Sequence, residues 1–201
     1  MSDTSNNYHH GDLKTALLNA AKRLIVDKGI DALSLRSIAT EVGVSHMAPY
    51  AHFKNKSELF MSVAADGFLN LSKNLQNIHQ KSNKPKDLVL LYGVAYIEFA
   101  TNNPQLYKLM LGQTNPGQST EKTPSSPGEK ILYEASRKTY LLLRNCFTIN
   151  EIDEKTINIQ AQGAWAFVHG IASLLITGQI VIDKESSIKD FLTTATQAIY
   201  H

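Results

Sequence analysis

Apolar residues recur at spacings of three and four along most of the chain, and no stretch alternates at a spacing of two. That feature restricts the fold to packed helices. Within residues 12–28 the apolar positions are Leu13, Leu17, Ala20, Ala21 and Leu24, one face of an amphipathic helix that Gly29 ends. Ser34 then precedes a short stripe of Leu35, Ile38, Ala39 and Val42, closed by Gly43. Ser45 caps a third short helix expected to run to about Phe53, with Pro49 in its first turns. Asn55 and Glu58 are spaced as a capping pair for a long helix over residues 56–80. Pro85 opens a helix through Tyr92, Tyr96 and Phe99, which Asn102-Asn103-Pro104 breaks before a short segment carrying Leu106, Tyr107 and Met110. Residues 112–128 hold no large apolar side chain and three of the six prolines, so they read as a surface loop that could gate a binding site. Helices over residues 129–147, 153–182 and 186–200 complete an all-α chain of about nine helices.

Composition narrows the class further. With 201 residues, 43% of them hydrophobic and 19% charged, the chain can bury a real core, which excludes both a disordered segment and a collagen-like fibre. Its one cysteine, Cys146, rules out an intramolecular disulfide or a Cys-rich zinc module and fits a reducing, cytoplasmic setting. The opening MSDTSNNYHHGDLK has no apolar run, so no secretory signal is read. Residues 156–182 carry no charge, and residues 164–182 are apolar enough to suggest a bilayer span. The stretch also carries Gln160, Gln162, His169, Ser173, Thr177 and Gln179, so a helix buried on both sides is expected, with no membrane partner. The net charge of +2 lies wholly in residues 1–57, where seven Lys/Arg face five Asp/Glu. Such a surplus hints at an anionic partner only beside a motif.

The segment SLRSIATEVGVSHMAPYAHF, residues 34–53, supplies the motif. Ala39 is small where two helices cross, Gly43 stands four residues later at the tight turn, and Val44 is an apolar plug beneath it. Ser45, His46, Ala48, Tyr50 and His52 then put small and hydrogen-bonding side chains outward, and Lys54 and Lys56 flank the next helix start. A helix N-terminus with lysines beside it suits a phosphate. A helix–glycine–helix of this spacing also occurs in ordinary bundles.

The run from Ala20 through Phe68 resembles the N-terminal domain of the tetracycline-repressor (TetR) family of transcriptional regulators. The matching residues are Ala21, Gly29, Ser34, Arg36, Ile38, Ala39, Gly43, Val44, Ser45, Tyr50, His52, Phe53, Lys56 and Leu59. Tyr8-His9-His10-Gly11-Asp12-Leu13, Ala48-Pro49-Tyr50 and Trp165 with His169-Gly170 are similar to the subgroup named for a Trp-His-Gly signature, although Trp165 and His169 are not adjacent. The resemblance implies a DNA-binding head over residues 1–55 (11–70 with the start of the connecting helix) and a ligand-binding and dimerisation domain over 56–201. It implies that Ser45 to Tyr50 enter the major groove, with His46, Met47 and Ala48 nearest the base edges. Tyr50, His52 and Lys56 would hold phosphates, and Ser34 and Arg36 the flanking backbone. Ala51 departs from the larger or polar residue common there, which removes a contact. Tyr8–His10 would be either an arm reaching the neighbouring groove or a frayed terminus.

Relatives pair their last two long helices into a four-helix bundle, and Gly163, Gly170 and Gly178 with Ala164, Ala166 and Ala172 leave that surface smooth. The resemblance also implies an inducer pocket between head and dimer helices. Phe68, Tyr92, Tyr96, Phe99 and Tyr107 belong to that belt, as do Met110, Tyr133, Tyr140, Trp165 and His169. Aromatic side chains with polar tips suit an apolar or aromatic effector, although each taken singly reads first as a core residue. No phosphate-cradling glycine loop, HExxH or Cys–His pair is present, and His9-His10 is too short for a metal site, so neither an enzyme, a metal nor a cofactor is expected. The expected function is a homodimeric repressor that binds a near-palindromic double-stranded operator and is released by a small apolar or aromatic molecule. An activator of the same family, or a helical ligand-binding or membrane-associated module without DNA binding, is the alternative.

Overall fold

The computed structural model describes residues 10–81, 84–112, 124–148 and 153–200. They form eight α-helices and no strand: α1 (His10–Lys28), α2 (Leu35–Val42), α3 (Lys56–Lys81), α4 (Pro85–Asn102), α5 (Pro104–Leu111), α6 (Pro127–Asn145), α7 (Glu154–Ile176) and α8 (Ile188–Tyr200). Single 3-10 turns lie at Ile30–Ala32 and Ala48–Ala51. The all-α expectation holds. Most of the expected loop over 112–128, with its gating role, and the arm residues Tyr8 and His9 lie outside the described residues.

Two expected elements are corrected. The helix expected over residues 45–53 is instead a turn followed by the 3-10 turn Ala48–Ala51. Pro49 has no N–H to return to the Ser45 carbonyl, so the chain closes three-residue bonds instead: Ala48 N–H to Ser45, Tyr50 N–H to Met47 and His52 N–H to Pro49, at 3.0, 3.1 and 2.9 Å. The last long helix ends at Ile176 rather than 182. Gly178 takes φ +70°, and Gln179 N–H turns back to the Leu174 carbonyl at 2.9 Å, so this glycine ends the helix instead of smoothing it.

Local chemistry sets the other boundaries. In α2 the Ser34 hydroxyl accepts from Ser37 N–H at 3.0 Å, and the Ser37 hydroxyl accepts from Ser34 N–H at 2.9 Å, a reciprocal cap. Gly43, at φ +78°, lets its own N–H and that of Val44 both reach the Ala39 carbonyl. Ser126 caps α6, which starts at Pro127, two residues before the expected position. Asp153 accepts from the N–H and hydroxyl of Thr156 at the start of α7, and those hydrogen bonds hold its carboxyl below the usual range.

Two apolar cores result. One joins α1, α2, Phe53 and the first half of α3 to Leu106, Leu109 and Met110 of α5 and to Leu132 and Ala135 of α6. The other joins the rest of α3 to α4, α7 and α8. Helix α5 therefore sits beneath the head. It presses so closely on α3 that a Cβ at Gly67 would stand 2.6 Å from Met110 Sδ. Helices α3 and α6 are pinned by a buried Ser72–Thr139 hydroxyl pair at 2.7 Å, with Thr139 also donating to the Phe68 carbonyl at 3.1 Å.

Candidate nucleic-acid interface

The segment around the Gly43 turn hangs on five buried side chains. Leu35, Ile38 and Ala39 seat α2 on the first core, and Pro49 and Phe53 seat the segment after the turn. Between them the chain bulges outward. Ser45, His46, Met47 and Tyr50 are all exposed, Met47 by 72%, while Ala48 is half-buried. The anchored turn thus presents Met47 and Tyr50 to solvent as large side chains.

The remaining expected contacts divide. Arg36, Lys54 and Lys56 are exposed. Lys56 Nζ rests 5.0 Å from the Phe60 ring centroid, a cation–π contact that directs the ammonium at the start of α3. Asn55 accepts from Glu58 N–H at 2.9 Å and Glu58 accepts from Lys54 N–H at 2.8 Å, which confirms the expected capping pair. His52 is half-buried, its ring edge-on to Phe53 at 6.4 Å. Ser34 spends its hydroxyl on the cap of α2 and Ser37, and so shapes the backbone there. Thr40 was missed by sequence reasoning. Its hydroxyl donates to the Arg36 carbonyl at 3.1 Å and lies 3.4 Å from His46 Nε2. The signal was a polar residue one turn before Gly43, on the face opposite Ile38.

The aromatic belt separates into groups. Tyr96 of α4, Tyr107 of α5 and Trp165 and His169 of α7 form one cluster. Its oxygens and nitrogen are linked Tyr96–Tyr107 at 3.1 Å and Tyr107–His169 Nδ1 at 2.6 Å, and the Trp165 ring lies 6.0 Å from that of His169. Burial pushes both phenols up and the imidazole down, which favours the neutral form of all three groups. Tyr92 lies apart, its hydroxyl 3.4 Å from His79, and burial beside the Cys146 thiol pushes it up to about 12. Phe68 and Met110 belong to the first core, and Phe99 packs against both cores. The Tyr133 hydroxyl accepts from Arg137 at 3.3 Å. The buried Tyr140 hydroxyl has no partner among the described residues. An open groove of about 310 Å³ on the outer side of α6, lined by Glu134, Arg137, Lys138, Leu141, Leu142 and Asn145, contains none of the expected ligand residues.

Residues 17–63 match the model of bacterial regulatory proteins of the tetR family, and residues 89–198 match the tetracyclin repressor-like C-terminal domain. The chain belongs to the TetR family. A protein of unknown function from Rhodococcus sp. RHA1 is 30% identical, with 96% of each chain covered and a TM-score of 0.74. A TetR transcriptional regulator from the same organism is 20% identical over 83% of this chain and 85% of its own, with a TM-score of 0.60. FadR from Bacillus subtilis, solved with stearoyl-CoA, is 14% identical over 84% of this chain and 90% of its own, with a TM-score of 0.61. As a TetR-family protein, this chain is a DNA-binding transcriptional regulator with an N-terminal helix-turn-helix and a C-terminal effector domain.

Proposed function

We propose that this TetR-family chain is a homodimeric repressor that leaves its operator when a small apolar or aromatic molecule binds, its head spanning residues 1–55 and its effector and dimer domain 56–201. The observation that carries the DNA contact is the exposed run Ser45–Tyr50, anchored from behind by Pro49 and Phe53. In this reading His46, Met47 and Ala48 face base edges, while Ser45, Tyr50, Lys54, Lys56 and Arg36 hold phosphates or sugars. Ser34 and His52 shape the backbone behind them. Helix α7 supports the dimer: it is long and apolar enough to cross a membrane, yet only 17% of that stretch is buried within one chain. A second copy in contact with Ile159, Gly163, Gly170 and Leu174 covers that face.

The Tyr96–Tyr107–His169 cluster supports the effector site, because it joins α4, α5 and α7 and α5 lies under the head. A ligand that shifts α5 shifts the head, and by linkage operator DNA weakens that ligand by the same factor. That FadR holds stearoyl-CoA supports an apolar ligand for this architecture. The Trp-His-Gly subgroup stays part of this proposal through Trp165, His169 and Gly170. Selection of bound duplexes from a random pool, followed by sedimentation of the complex, tests the reading. Two chains on a near-palindrome are expected, and a monomer holding one half-site at full affinity would contradict it.

A further inference from the structure

The contact between Thr40 and His46 supports a finer statement, which rests on the DNA-binding reading above. Thr40 is exposed on α2, and its hydroxyl lies 3.1 Å from the Arg36 carbonyl oxygen and 3.4 Å from His46 Nε2. A threonine hydroxyl carries one proton. The shorter contact takes it, with Thr40 donating to the Arg36 carbonyl. Toward His46 the hydroxyl oxygen then offers only lone pairs, so Nε2 is the ring nitrogen that carries hydrogen. In a neutral imidazole the other nitrogen, Nδ1, is left as a bare acceptor. No described residue hydrogen-bonds to His46 Nδ1, and the side chain is exposed.

The geometry points to Thr40 as a positioning residue for sequence readout: it holds His46 with Nδ1 outward as an acceptor, so that His46 selects adenine or cytosine on the strand it faces. Those two bases offer an amino group in the major groove, N6 of adenine and N4 of cytosine. Guanine and thymine place acceptor oxygens there instead, and two acceptors repel. The neighbours cannot make this distinction. Met47 and Ala48 are apolar, and the Ser45 hydroxyl rotates to donate or accept as needed. A histidine free to flip its ring would be as permissive as the serine. The Thr40 contact removes that freedom.

Selection from a random duplex pool at alkaline pH, where imidazole is neutral, tests this with the full chain as wild type, Thr40→Val, Thr40→Ser and His46→Ala. In the wild type, one position per half-site should favour adenine or cytosine on one strand by roughly five- to tenfold. His46→Ala should erase that preference, isosteric Thr40→Val should reduce it and Thr40→Ser should keep it, with the other positions of the site unaltered. A guanine or thymine at the His46-dependent position, or an unchanged profile in Thr40→Val, would overturn the inference. Nitrogen NMR of the His46 ring in the DNA-free protein is an independent check. A proton on Nε2 is expected, and a proton on Nδ1 contradicts the inference whatever the DNA does. A wild-type chain that selects no sequence at all would overturn the DNA-binding reading beneath it, so the two failures are distinct.

Discussion

Helices α3 and α7 are the two longest in the chain and both are rich in apolar residues, yet they are covered in opposite ways. Helix α3 buries nine of its 26 residues, including Leu59, Val63, Phe68, Leu71 and Leu75, against partners on both cores. Helix α7 buries four of its 23, Ile157, Ala161, Ile171 and Ala172, and leaves Ile159 58% and Leu174 38% exposed. An apolar helix signals burial but does not say by what. In α3 the partners come from the same chain. In α7 the same chain leaves the face open, and the proposed dimer would cover it with a second copy.

Glycines in the two helices break that comparison most sharply. Gly67→Leu in α3 should destabilise the fold by about 3 kcal/mol, because even a Cβ would stand 2.6 Å from Met110 Sδ. Urea unfolding reads this directly, and a loss under 1 kcal/mol would mean that α5 yields easily. Gly170 has nothing within 4 Å of where its Cβ would stand. Gly170→Leu should therefore leave the single chain folded yet weaken dimerisation at least ~10-fold, worth about 1.4 kcal/mol. Sedimentation equilibrium checks it; an unchanged dimer would place the second copy elsewhere.

A smaller effect is expected at the pin between α3 and α6. Thr139→Val removes the hydroxyl shared by Ser72 and the Phe68 carbonyl, and should cost about 1–2 kcal/mol by leaving buried groups unpaired. The smallest concerns α7. Burial lowers the His169 pKa, so the unfolded chain binds that proton more readily than the folded one. Its contribution is fully present above the ordinary imidazole pKa and lost as the pH falls below it. Between about pH 7 and 5, His169→Gln should lose less stability than wild type. Equal losses would show that the Tyr107–His169 bond does not titrate.

How much of this was legible in the sequence follows the same division. The first two helices, the Gly43 turn, the capping pair Asn55–Glu58 and the breaks at Pro85 and Pro104 depend on neighbours a few residues away, and sequence spacing records those. The segment after Gly43 was misread because helical spacing of side chains hides the one missing donor, that of Pro49. The end of α7 was misread because apolar residues continue past Gly178, whose positive φ turns the chain. Tertiary partners left the faintest trace. Nothing near Tyr96 or Tyr107 in sequence marks His169 as their hydrogen-bonding partner, nor sets Phe68 and Met110 apart as members of the other core. Thr40 was invisible as a partner of His46 until the turn brought the two together.

The head's exposed surface is the account's centre, and one titration reaches it. Wild type, Lys56→Ala and His46→Ala are measured against the selected operator and a scrambled duplex at two salt concentrations. Lys56→Ala should weaken both duplexes alike and lower the salt slope by about one for each phosphate no longer neutralised. His46→Ala should cost on the order of 1–3 kcal/mol on the operator for each base no longer read, with little change on scrambled DNA or in the slope. A uniform loss for His46→Ala, or an operator-specific loss for Lys56→Ala, would contradict the division between a reading His46 and a gripping Lys56.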